Sequence, residues 1–351
     1  MSLFGRNHSN LRTAPLPLSD AAILSIVNAP PDEYGLREKE NNHSTEGVKA
    51  KDNPRRPKST CPFVADIRTL PCPEHTGVCD DYERTGTIAI AEVVGAIVIL
   101  ERFGRRGTGK SLGLHNGILL LGEPGTGKST VMKLAANKFA VLSKKKAVLL
   151  QVETHKLAEG TRGALQQNIL TLFEHVSEIA SGGASVFMLL DELETILPNR
   201  GSVSTETNPM DTIFGVNAFI EKFDSLPRNV FLLATSNLCD LIDRAALSRF
   251  NFAFPVPLPN ALARARLLKR AIELINPKST AISAIALVES GGKLTPGIQQ
   301  LIRATEGFSI RAISDLVIRS VWLHGGDESL TLGQLLQAAN SPYQSLSLSR
   351  K

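Results

Sequence analysis

The sequence predicts an α/β fold in which a parallel sheet carries helices on both faces and a small all-α domain follows. Three observations predict it. Four short apolar runs alternate with helical stretches between residues 117 and 234, the pattern of strands buried on both faces. Beyond Asn260 only helical periodicity continues. The chain has 351 residues, 42% of them hydrophobic, enough to fill one large core and one small one.

Residues 1–85 are rich in Pro, Asn, Ser and charge, with one apolar patch at 21–27, and read as a flexible or short N-terminal region. Residues 86–260 form the expected large α/β domain. From Ile88 to Phe103 the apolar spacing fits a helix, which gives way to the polar Gly-rich stretch 104–109. The apolar runs 117–121, 147–152, 186–190 and 229–234 read as strands, with helices expected over 128–142, 162–179 and 211–223. A fifth run, 250–254, leads into Pro255, Pro257 and Pro259, which suits an edge strand. Residues 261–351 form the expected helical lid, with helices over 261–274, 297–305, 310–323 and 332–339.

Composition narrows the function. The 39 basic and 34 acidic side chains leave a net charge of +5 without a long basic block; the densest run, Lys144 to Lys146, reads as a solvated loop between helix and strand, so direct nucleic-acid binding is not expected. Aromatic residues are 5% of the chain, few for a surface that stacks bases. Four cysteines are too few for a secreted disulfide scaffold. Cys61, Cys72, His75 and Cys79 offer one conceivable zinc knuckle, C-x10-C-x2-H-x3-C, with an unusual first spacing. The longest apolar run, 88–100, is broken by Glu92 and is too short to span a membrane. Nucleus or cytoplasm is the expected location.

The strongest local signal is Gly122, Glu123, Pro124, Gly125, Thr126, Gly127, Lys128 and Ser129, a complete G-x-x-x-x-G-K-S between an apolar strand and a helix, followed by Thr130. In that setting the glycine-freed N–H groups and the helix N-terminus hold phosphates, the lysine reaches the outer two, and the Ser129 hydroxyl meets Mg²⁺. This makes the fold a P-loop NTPase, with ATP and Mg²⁺ as cofactors and residues 122–130 as the nucleotide-binding set. The run ending in Asp191 and Glu192 supplies the other two requirements: a carboxylate for the Mg²⁺ shell and a neighbour able to polarise the attacking water. Asn237, closing the run Thr235, Ser236, Asn237, is the candidate for positioning that water. Arg249, with Arg244 as its competitor, is the candidate to project into a neighbouring subunit's nucleotide. A small-molecule kinase explains neither this Asn and Arg pair nor the helical lid.

These motifs, in this order and followed by a helical domain, resemble the AAA+ ATPases over residues 86–340. Within them, residues 207–224, including Asp211, Asn217 and Asp224, are similar to a segment of the pachytene checkpoint protein 2 family, the thyroid receptor-interacting, HORMA-remodelling branch. Glu306 to Arg311 is similar to that family's E-G-x-S-G-R. The resemblance implies that Arg311 contacts the phosphates from the lid. It also implies a homo-hexameric ring that uses ATP hydrolysis to open HORMA-domain proteins in meiotic recombination or checkpoint control, or in bacterial anti-phage signalling. Ile310 stands where the family has glycine and Phe214 where it has arginine. The segment expected to form the first pore loop, 155–162, has no aromatic residue. Two other readings stay open: a DNA-linked ATPase of the clamp-loader or initiator type, and a subunit that binds ATP without threading substrate.

Overall fold

The computed structural model describes residues 61–72, 90–105, 112–160, 163–200, 209–275, 295–324 and 330–341, with isolated positions at 279, 281, 282 and 285. A six-stranded sheet runs in the order β1-β3-β4-β5-β2-β6. Its strands are β1 (Val64–Leu70), β2 (Gly117–Leu121), β3 (Ala147–Val152), β4 (Ser185–Leu190), β5 (Val230–Ser236) and β6 (Phe252–Pro255). All neighbours are parallel except β1, which lies antiparallel on β3. Around the sheet are α1 (Ile90–Arg105), α2 (Lys128–Ser143), α3 (Thr154–Ala158), α4 (Ala164–Ser181), α5 (Pro209–Asp224) and the one-turn α6 (Arg244–Leu247). The lid contributes α7 (Ala261–Ile275), α8 (Pro296–Ala304), α9 (Ile310–Leu323) and α10 (Leu332–Ala339).

The continuous apolar runs have the structural cause expected of them. Every residue of β4 and β5 is buried, and the side chains alternate between two cores. Val186, Met188 and Leu190 join Val230, Leu232 and Ala234 on the face covered by α4 and α5, while Phe187, Leu189, Phe231 and Leu233 meet α1 and α2 on the other. The scarce aromatics are spent here. Phe139, Phe187 and Phe231 form one ring cluster with centroids 5.2–6.2 Å apart, and Phe173, Phe219, Phe223 and Phe250 a chain of contacts on the opposite face. The lid has its own core, with Leu268, Ile272, Leu301, Leu316 and Leu335 fully buried.

β1 lies inside the stretch that the sequence reads as flexible, and it corrects that reading. Val64, Ile67 and Leu70 are buried, and the strand pairs from Val64 with Val152 to Leu70 with Ala147. The apolar patch at 21–27 lies outside the described residues. The strand also bears on the conceivable zinc knuckle. Cys61 and Cys72 flank it, so the six-residue rise from Val64 to Leu70 holds them about 20 Å apart, too far to share one metal ion; His75 and Cys79 lie outside the described residues. The Lys144–Lys146 run is a turn between α2 and β3, with Lys145 paired to Glu101 at 2.5 Å.

One polar tie fixes the loops that leave β4 and β5. Asp243 accepts Nε and Nη2 of Arg200 at 2.7 and 3.0 Å and caps α6 through the N–H groups of Ala245 and Ala246. Alongside it, Asp243 N–H donates to Leu197 O and Asn199 N–H to Leu241 O. Burial pushes the Asp243 carboxyl up, but Arg200 and the two N–H groups outweigh it and hold the group below the usual aspartate range. A depressed folded pKa gives stability that is present above the unfolded value of about 4 and lost as pH falls through the folded one. Asp243→Ala, which removes the cap and leaves Arg200 without this partner, is expected to cost about 2 kcal/mol in urea unfolding at neutral pH. Near pH 2 the difference from the parent shrinks.

Candidate nucleotide site

Parallel register brings the site together. Leu121 of β2 pairs with Ser236 of β5, and Leu190 of β4 with Ala234 of β5, so the phosphate loop, the Asn237 turn and the Asp191 turn leave the same edge side by side. Ligands of open α/β sheets bind at these carboxyl ends. The loop needs its glycines. Gly125 and Gly127 have φ of 78° and 86°, and a Cβ at Gly122 would lie 2.4 Å from Val256 O. Gly127 hands directly to α2, whose first residue is Lys128.

Lys128 is 6% exposed. Its three ammonium hydrogens have three acceptors: Gly122 O at 2.8 Å, Glu123 O at 2.9 Å and Asn237 Oδ1 at 2.7 Å. Burial pulls its pKa below the usual lysine range; Glu194, Asp191 and Glu192 oppose that, and Arg311 adds to it. Ser129 Oγ donates to Asp191 Oδ1 at 2.5 Å, and Thr235 Oγ1 donates to the same oxygen at 3.0 Å. Thr154 Oγ1 holds the Asp191 carbonyl at 2.7 Å. Glu192 turns the chain at φ 55°, ψ 58°, a left-handed conformation costing a non-glycine residue about 1–2 kcal/mol. Its N–H reaches Thr235 Oγ1 at 3.4 Å, and its side chain faces solvent beside the loop.

The lid sits directly on the loop. Arg311 N–H donates to Gly125 O at 3.2 Å, and a Cβ on Gly125 would come within 2.9 Å of both Arg311 Cβ and Ser309 Oγ. Ser309 also caps α9 through Ala312 N–H. Of the residues singled out in the sequence, Lys128, Ser129, Asp191, Glu192, Asn237 and Arg311 therefore meet at one place. Arg249 does not. Its Nε and Nη2 bind Asp224 at 3.2 and 3.1 Å, and its carbonyl lies against Gly117, at the opposite end of β2. The rise of β2 separates that point from Gly122 by about 16 Å, so Arg249 cannot serve the nucleotide of its own subunit.

Three polar residues at the site were not assigned a role from sequence. Thr154 and Thr235 hold Asp191, and Glu194 Oε1 accepts Asn237 N–H at 3.2 Å. Glu194 stands in a short 3-10 turn, Leu193–Thr195, that no motif spacing marks.

The residues present fit a nucleotide triphosphate with its cation: a glycine cradle that Cβ atoms would fill, a buried ammonium, and a hydroxyl beside a carboxylate. Fold and site together define a P-loop ATPase with a helical lid. Residues 118–258 match the ATPase family associated with various cellular activities, AAA. The chain is 35% identical to CD-NTase-associated protein 6 of Pseudomonas aeruginosa over 217 residues, 60% of this chain and 68% of that protein. It is 28% identical to the pachytene checkpoint protein 2 homolog of Gallus gallus over 239 residues, 63% of this chain and 55% of the relative. The chain thus spans about half the length of the checkpoint protein. Its fold is shared with a chain of the E. coli MS115-1 HORMA:CdnC:Trip13 complex at a TM-score of 0.63, 16% identity and coverage of 80% and 95% of the two chains. The chain belongs to the AAA ATPases, in the family of pachytene checkpoint protein 2 and CD-NTase-associated protein 6. Among the described residues no helix is long and apolar enough to cross a membrane.

Proposed function

We propose that this chain hydrolyses ATP with Mg²⁺ and uses the energy to remodel protein partners, HORMA-domain proteins in particular, as a homo-hexameric ring. The observation that carries the ATPase reading is the paired contact of the phosphate loop with the two neighbouring strand ends, Ser129 to Asp191 and Lys128 to Asn237. Bound Mg·ATP supplies the phosphoanhydride and a cation that offsets its charge. Ser129 and Asp191 hold the cation, and Lys128 and the N–H groups of the loop hold the phosphates. Glu192 takes the proton of the attacking water, Asn237 orients that water, and Arg311 reports the phosphates to the lid. Arg249 serves the neighbouring subunit.

The partner class rests on the family. The E. coli neighbour is part of a complex with a HORMA protein, and the Pseudomonas relative is named for association with a CD-NTase. Meiotic or checkpoint control is the setting suggested by the name of the Gallus relative, and nucleus or cytoplasm is the location proposed with it. The deciding experiment is affinity capture with Glu192→Gln in ATP. A hydrolysis-deficient ring is expected to retain a HORMA-domain protein, whereas retention of DNA would place the chain with the DNA-linked ATPases.

A second reading, nucleotide binding without threading, is favoured by one observation. The segment after β3 carries no aromatic grip. Its Leu157 is buried, Asn168 Nδ2 pins the carbonyls of Leu157 and Glu159, and the larger side chains it exposes are polar: His155 and Lys156, both drawn to Glu153, and Glu159. Capture of a HORMA protein that is never released in its altered form by the parent enzyme would support that reading.

A further inference from the structure

We propose that Glu194 is a positioning residue for ATP hydrolysis: it holds the backbone of Asn237 in place while Lys128 exchanges the Asn237 side chain for phosphate. The inference rests on the ATPase reading and goes beyond the residues that reading employs.

Asn237 is held from two directions. Its side-chain oxygen accepts Lys128 Nζ at 2.7 Å, and its N–H donates to Glu194 Oε1 at 3.2 Å. The first contact cannot persist through the reaction. With Gly122 O, Glu123 O and Asn237 Oδ1 all occupied, Lys128 has no hydrogen left for a phosphate oxygen, so reaching one means releasing an acceptor. Release of Asn237 Oδ1 turns that oxygen toward water just when a water must be oriented. From then on Glu194, 43 residues away in sequence, is the anchor that fixes where Asn237 stands.

Glu194 is built for holding rather than for proton transfer. Its second oxygen, Oε2, is buried and has no hydrogen-bond partner, so it is screened from the water that a base must reach. Glu192, exposed at the end of β4, has the opposite character.

The test is steady-state ATPase kinetics with a parallel titration of a fluorescent ATP analogue. Turnover by the parent, lost in Glu192→Gln, first establishes the reading on which the proposal rests. Glu194→Ala is then expected to lower kcat on the order of 10²-fold while KM and analogue affinity stay within about threefold. Glu194→Gln keeps an acceptor for Asn237 N–H and is expected to regain most of the lost rate. In an Asn237→Ala background, Glu194→Ala should remove less than about twofold more, because the two residues act as one unit. Losses that multiply in the double variant overturn the proposal. So does a fall in analogue affinity that accounts for the whole effect, or a Gln variant as inactive as Glu192→Gln. If the Ala variant fails to fold, the isosteric Gln variant decides alone: near-parental kcat supports the positioning role, and loss of turnover removes it.

Discussion

Glu192→Gln is expected to lower kcat for ATP hydrolysis by about 10²–10⁴-fold while leaving nucleotide affinity near that of the parent. The separation follows from where the residue stands. In the proposed function phosphate binding rests on the loop glycines, Lys128 and the lid contact at Arg311, none of which bonds to Glu192. Glu192 touches the rest of the site through its backbone N–H on Thr235, and Gln preserves that contact along with side-chain size. What Gln removes is the capacity to accept a proton. Phosphate release and binding of a fluorescent ATP analogue, measured on one preparation, read both halves. Turnover within tenfold of the parent would deny Glu192 the role of base.

Arg249→Ala carries the other large effect, a loss of about 10³–10⁵-fold in kcat, as for an arginine supplied in trans. Its side chain is already ordered: Asp224 grips it through two nitrogens, and Ala245 O and Ser248 Oγ take the remaining one. Because Arg249 stands at the far end of β2 from its own phosphate loop, a mixing experiment is decisive. Arg249→Ala subunits keep a sound loop and Glu192, and Glu192→Gln subunits keep a sound Arg249. Rings of the proposed kind assembled from both would contain complete sites, so mixing two inactive proteins should restore turnover. No recovery, with mixed rings present, would remove Arg249 from that role and leave Arg244 to be tested in the same way.

How much of this was legible in the sequence depended on the range of the signal. β4 and β5 announce themselves because burial on both faces makes every position apolar, and the phosphate loop does so because glycine, lysine and serine needs are local. β1 was missed for a physical reason. A register shift between Val64 and Asp66 breaks its two-residue alternation and puts Val64 and Ile67 into one core while Leu70 enters the other, and Asp66 and Arg68 pair with each other. Asn237 could be named from its place after a strand, but Glu194 could not, since its contact with Asn237 appears only when β4 and β5 align. Arg249 was legible as a residue type at a position; the Asp224 grip that orders it, 25 residues distant, was not.

β1 also sets where this protein can be cut. The family match begins at residue 118, and the α/β domain read from sequence begins at 86; a fragment designed on either would omit the strand. The backbone N–H and C=O groups of β3 that now pair with β1 would face solvent as an open template, next to the apolar surface that Cys61, Val64 and Ile67 cover. Such an edge recruits strands from other molecules. A soluble recombinant ATPase core therefore has to start ahead of Cys61, and precipitation of shorter fragments would be a symptom of the missing strand rather than of an unstable nucleotide site.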